Sequence, residues 1–106
     1  MKRYFLWKIE ANRIRLTEDE LLEVSEFGNL DQVCYLVEYV LDDVNKVNSR
    51  GDSPLLLACS RGRFDIVEYL IRVGKADINH GNRRGDTALL IASDKAHFKI
   101  MKYIIE

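Results

Sequence analysis

Two cysteines and two histidines are the side chains here best suited to nucleophilic or metal chemistry: Cys34, Cys59, His80 and His97. A structural zinc site takes four such ligands, usually in short pairs such as C-x-x-C or H-x-x-x-H. These four stand 25, 21 and 17 residues apart. Each falls on a different predicted element, so no metal site is read from them. A Cys–His nucleophile needs an exposed thiol beside the imidazole. Cys59 follows Ala58 at a small-residue position of a predicted buried helix, and nothing places Cys34 near a base. There is no G-x-G-x-x-G and no Walker-type loop. The chain is therefore read as a non-enzyme, with no catalytic residue, no cofactor and no metal.

The arginines carry more information. Arg50-Gly51-Asp52 returns as Arg84-Gly85-Asp86. The tripeptide resembles an integrin-recognition sequence, but its glycine also fits the turn of a repeating hairpin, and that reading takes precedence. Net charge is −1 over 106 residues, with 31% charged and 47% apolar residues. That balance gives no general pull toward nucleic acid or an anionic membrane. Two cysteines far apart read as free thiols in a reducing compartment. Tyr4-Phe5-Leu6-Trp7 is too short for a signal core or a membrane span.

What must position these residues is a repeat. Gly28, Gly62 and Ala96 are 34 residues apart, as are Val33, Val67 and Met101 and also Leu36, Leu70 and Ile104. A fixed period of roughly 20–50 residues marks a stacked repeat protein. Asn48-x-x-Gly51-x-Ser53-Pro54-Leu55-x-Leu57-Ala58 begins one unit. Gly62, Ile66-Val67-x-x-Leu70-Ile71 and Gly74 complete it. Asn82-x-x-Gly85-x-Thr87-Ala88-Leu89-x-Ile91-Ala92 begins the next. These motifs resemble the ankyrin repeat over residues 17–106. Each unit is one residue longer than usual, with the insertion placed near Lys75. Leu56 and Leu90 stand at the family's histidine, Ala88 at its proline and Ala96 at its glycine.

The reading along the chain follows from caps and stripes. Residues 1–16 are taken as an N-terminal cap segment, with a peptide anchored by Trp7 as the alternative. Residues 17–47 form a degenerate repeat: a capping box at Thr17 and Glu20, then inward-facing Leu21, Leu22 and Val24. Gly28 is expected in a glycine-favoured conformation. A second helix follows over Leu30 to Val40. Residues 48–81 form the full repeat, with Ser53 as N-cap and Pro54 at the first helical position. Residues 82–106 form a C-terminally incomplete repeat with core Leu89, Ile91, Ala92, Phe98, Ile100, Met101, Ile104 and Ile105.

The resemblance implies an all-α, ankyrin-type solenoid of stacked helix–turn–helix units with short hairpin loops. It implies a protein-interaction module working through the concave face of hairpin tips and inner helices. Carried over by position, that face holds Ser49, Arg50, Asp52, Ser60 and Arg61, then Arg83, Arg84, Asp86, Asp94 and Lys95, with Glu18, Glu26 and Phe27 in the first unit. The arginines would meet an acidic or mixed-charge segment of a partner protein, unless Asp52, Asp86 and Asp94 neutralise them. Nucleic-acid and membrane partners are not expected. An uncapped C-terminal end, through Ile100, Ile104 and Ile105, would allow self-association. The expected compartment is the cytoplasm, including a host cytosol for a secreted effector, with the nucleus left open. The alternative function is a regulatory or targeting fragment of a longer multidomain protein whose enzymatic activity lies elsewhere.

Overall fold

The computed structural model describes residues 20–40 and 43–106. The cap assigned to residues 1–16, the capping box at Thr17 and the surface role of Glu18 lie outside them. The described residues form six α-helices and no strand. They are α1 (Glu20–Phe27), α2 (Leu30–Tyr35), α3 (Pro54–Ser60), α4 (Phe64–Arg72), α5 (Ala88–Asp94) and α6 (Phe98–Ile105). A π-helical turn, Leu36–Val40, prolongs α2. The expected second helix is thus present over its full length, but its last turn is wider than α-helical.

Three helix starts are fixed by side chains. Ser53 and Thr87 sit in extended conformation and accept from the N–H groups of Leu56 and Leu90 at 3.3 and 3.4 Å. Each satisfies a donor that has no helical partner. Pro54 occupies the first position of α3, where its missing N–H costs nothing. Asn29 and Gln32 form a reciprocal capping box at α2, at 2.9 and 3.0 Å. That box was not anticipated from the sequence.

Successive units stack in register. Inner helix α1 packs on α3 and α3 on α5, while outer helix α2 packs on α4 and α4 on α6. The core runs between the two rows. Val33, Leu36, Ile66, Val67, Leu70 and Ala58 are fully buried, with Leu21, Leu55, Leu56 and Ile100 almost so. Full burial of one such aliphatic side chain contributes about 1.5–3 kcal/mol, so the central unit, which is covered on both sides, holds the stack together.

The glycine slot between paired helices differs from unit to unit. Gly62 has φ +70° and Ala96 has φ +61° in the same slot, so Ala96 holds a left-handed conformation without being glycine. Gly28 does not have positive φ, contrary to expectation. It is confined by space instead: a Cβ there would meet Gln32 Oε1 and, at 2.8 Å, Val24 Cβ. Lys75, the placed insertion, is the other non-glycine residue with positive φ among the described residues, at +58°.

The last unit departs from its expected core. Ile100 and Ala92 are buried and Ile91, Met101 and Ile104 half-buried. Leu89, Phe98 and Ile105 are exposed, as is Leu90. Their counterparts one unit earlier are better covered: Leu55 and Leu56 are buried, and Phe64 and Ile71 half-buried. The same fact corrects the expected self-association patch: Ile100 is buried and unable to contribute, whereas Ile105 is open.

Candidate functional site

The hairpins are built by two asparagines. Asn48 Oδ1 accepts from the N–H groups of Arg50 and Asp52, and the Asn48 carbonyl accepts from Gly51 N–H at 2.9 Å. Asn82 does the same for Arg84, Asp86 and Gly85. Gly51 and Gly85 take φ of +83° and +84°, which glycine adopts at little cost. The Arg-Gly-Asp recurrence is thus the turn of a repeating hairpin.

Neighbouring hairpins are then tied together. Arg83 N–H donates to the Arg50 carbonyl at 3.1 Å, and Asn82 Nδ2 to Asp52 Oδ1 at 2.8 Å. The His80 ring nitrogen Nε2 lies 2.7 Å from the Gly51 carbonyl. On the other side of the inner helices, Arg63 donates to the carbonyls of Glu26 and Gly28 at 2.9 and 2.6 Å, and His97 Nε2 lies 3.4 Å from the Ser60 carbonyl. His97 therefore bridges two units, while His80 ties the end of the central unit back to its own hairpin.

Between the hairpins and the inner-helix ends lies a recess of about 640 Å³. Leu56, Leu57, Ser60, Leu90, Ile91 and Ser93 of α3 and α5 line its floor. Arg50, Asp52, Asn82, Arg84 and Asp86 line one rim, and Glu26, Asp94 and Lys95 the other. Of the residues expected on this face, Glu26, Arg50, Asp52, Ser60, Arg84, Asp86, Asp94 and Lys95 are brought together here. Ser49, Arg61 and Arg83 are exposed but lie outside the lining. Leu56, Leu57, Asn82, Leu90, Ile91 and Ser93 were not anticipated. The repeat period held the signal, because Leu90, Ile91 and Asn82 lie 34 residues after Leu56, Leu57 and Asn48.

The basic stripe is largely self-neutralised. Arg50 pairs with Asp52 at 3.2 Å and Arg84 approaches Asp86 at 3.9 Å. Arg61 pairs with Glu26 at 3.1 Å while its guanidinium lies 4.7 Å from the Phe27 ring centroid. Exposed pairs of this kind contribute about 0–1 kcal/mol each, so they orient side chains more than they stabilise the fold. Arg83 and Lys95 have no ion-pair partner among the described residues. The lining carries four carboxylates, Glu26, Asp52, Asp86 and Asp94, against Arg50, Arg84 and Lys95. It is a mixed-charge surface around an apolar floor, and not a uniformly basic one.

Both cysteines are buried, and neither forms a disulfide. Burial pushes the Cys59 thiol up to about 12. Tyr69 is buried with its O–H donating to Glu38 at 2.6 Å, and burial followed by that bond raises it as well. Neither group faces the recess. Among the described residues no three His, Cys, Asp or Glu side chains are gathered as a metal would require, and no helix is long and apolar enough to cross a membrane.

A family model described as ankyrin repeats, in three copies, matches residues 21–106. No curated protein matches the chain. Among solved structures, the chain is similar to one in the complex of a predatory endopeptidase from Bdellovibrio bacteriovorus with an immunity protein. The TM-score is 0.75 at 31% identity, covering 81% of this chain and 44% of that one. The chain thus spans less than half the length of that neighbour.

Proposed function

This chain belongs to the ankyrin-repeat family, whose general role is to bind proteins, and we propose that it binds a partner protein through the recess between its hairpins and inner helices. The observation that carries the reading is the recess itself: an apolar floor of Leu90 and Ile91 inside a ring of oriented charges. Apolar contacts at the centre of an interface supply most of the affinity, and rim charges set partner choice and rate. The partner segment is mixed in charge. It presents an apolar side chain to Leu90 and Ile91 and a carboxylate to Lys95, with basic groups facing Asp94 and Glu26. Arg50, Asp52, Arg84 and Asp86 line its path, and Ser49, Arg83 and Arg61 flank it.

The likeness to a chain in an endopeptidase–immunity protein complex supports a protein partner. So does the rigidity of the hairpins, whose backbone is already held, so that little ordering entropy is lost on association.

The test is affinity capture followed by titration of the captured protein, with the double variant Ile91→Asp/Lys95→Glu beside the wild type. Loss of a central contact costs about 2 kcal/mol or more, so affinity should fall by roughly thirtyfold or more. The control is Arg72→Glu, an exposed change on outer helix α4. Equal affinity for wild type and double variant, or a loss in the control alone, would refute the assignment.

A further inference from the structure

The ends of the inner helices carry a column of side chains that the recess does not absorb. Phe27 closes α1, and Arg61 and Lys95 follow the last residues of α3 and α5, each 34 residues after the one before. One slot of the repeat thus holds an aromatic ring, a guanidinium and an ammonium in successive units. Of the three, only Lys95 lines the recess.

A singly exposed apolar side chain is ordinary on a protein surface. Phe27 differs in being both 63% exposed and braced. The Arg61 guanidinium lies 4.7 Å from its ring centroid, and Arg61 Nε and Nη2 both donate to Glu26 Oε2, at 3.2 and 3.1 Å. Ring and guanidinium are thus held together by the carboxylate next to the ring. They offer a partner a preset π surface, and contact with a preset surface loses less ordering entropy. The Arg61 charge is already answered. A partner carboxylate that drew Arg61 away would strand Glu26, whose side chain is only 20% exposed. Lys95 carries no such obligation, because Arg61 turns toward the first unit and Lys95 has no ion-pair partner among the described residues. Along the column, aromatic recognition falls to Phe27 and Arg61, and acid recognition to Lys95.

The stack sets the distance between the two. Inner helices α5, α3 and α1 pack in sequence. Packed helices lie about 8–10 Å apart, so two steps span roughly 20 Å. An extended chain rises about 3.3 Å per residue and returns to the same face at every second residue. A spacing of about six residues covers that span and puts both ends on one face. We infer that the partner segment crosses the inner-helix ends in extended form, with an acidic side chain on Lys95 and an aromatic ring about six residues away, stacked on Phe27 and Arg61. The inference rests on the recess reading for where the partner lies, and adds what the partner must carry.

The probe is a phage-displayed library of random twelve-residue peptides, selected on the full chain and on its Ile91→Asp and Phe27→Ala variants. Peptides enriched on the wild type should pair an acid with an aromatic residue at that spacing. For one such peptide, replacing its aromatic residue by alanine should weaken binding roughly tenfold on the wild type and less than about twofold on Phe27→Ala. Phe27→Leu, which keeps the bulk and loses the ring, guards against an effect on folding and should behave as Phe27→Ala does. Lys95→Glu should abolish the preference for the acid, and Arg61→Gln should preserve it. Equal losses on wild type and Phe27→Ala, or no enrichment at all, would overturn the inference. Peptides that need Ile91 but carry no aromatic residue at that spacing would leave the recess standing and overturn the inference alone. Peptides that bind Ile91→Asp as tightly as the wild type, yet still need Phe27, would refute the recess and leave the aromatic contact standing.

Discussion

At the scale of single residues, the chemistry of this chain is set by burial more than by proximity. Cys59 occupies a fully buried slot beside Ala58, and its thiol is pushed from 9.0 to about 12 because a thiolate there would lose its hydration. The folded state thus binds that proton more tightly than the unfolded one. Its contribution is fully present below pH 9 and is lost as pH rises toward 12. Between pH 9 and 10 the wild type should lose about 1 kcal/mol that Cys59→Ala does not lose. Tyr69, also raised, begins to titrate in the unfolded chain only near 10. Urea denaturation of both proteins at pH 8, 9 and 10 checks this, and parallel curves would remove Cys59 as the cause. The raised thiol also keeps Cys59 in its protonated form near neutral pH. Thiolate is the reactive form, and His97 spends its ring on the Ser60 carbonyl and the space over Gly62.

At the scale of elements, what the sequence made legible follows the strength of each local signal. Pro54 after Ser53 marked the start of α3, and the 34-residue period carried that start to Thr87 and α5. The cap at Asn29 and Gln32 was missed because the corresponding N-cap positions of the later outer helices are Arg63 and His97, which make no side-chain cap and so offer no copy to compare. Gly28 was misjudged because a glycine between helices usually serves left-handed backbone, whereas here the close approach of Val24 requires it. The recess was half legible. Hairpin positions named Arg50, Asp52, Arg84 and Asp86, but composition does not tell that each arginine folds onto the aspartate two residues on. The apolar floor was overlooked because Ile91 read as a core residue and Leu90 only as the occupant of the family's histidine position. One element-scale prediction tests the cap logic. Ala88 is the first residue of α5, buried, behind an extended Thr87 at ψ 175°. Ala88→Pro copies Pro54 and should stabilise the protein by about 0.4–1 kcal/mol, chiefly by restricting the unfolded chain. A lower urea midpoint for this variant would mean that the backbone of α5 differs from that of α3 where it matters.

At the scale of the whole molecule, each unit contacts mainly its neighbours, so stability is approximately a sum of unit and interface contributions. The described units are not equivalent in that sum. The central pair α3–α4 is buried on both sides, with Leu55, Leu56, Ile66, Val67 and Leu70 at 1% exposure or less. The pair α5–α6 buries only Ala88, Ala92 and Ile100 and leaves Leu89, Leu90, Phe98 and Ile105 open. Apolar burial at about 25 cal/mol per Å² is the main source of stability, so the third unit should open by itself before the rest. Local opening of this kind is read by native-state amide exchange. Exchange should be fastest in α6, intermediate in α5 and slowest in α4. Destabilising the last unit should therefore leave the central one standing: Ile100→Ala removes a buried side chain and should cost about 2–5 kcal/mol, yet accelerate exchange in α5 and α6 far more than in α3 and α4. The same rate increase across all four helices would show that the stack unfolds as one cooperative body. The recess, which draws its floor from α3 and α5 together, would then be lost only when the whole molecule unfolds. If instead the last unit opens alone, it takes Leu90, Ile91, Asp94 and Lys95 with it, and any partner held there stabilises α5 and α6 selectively. Partner binding and the integrity of the last unit are then one coupled equilibrium.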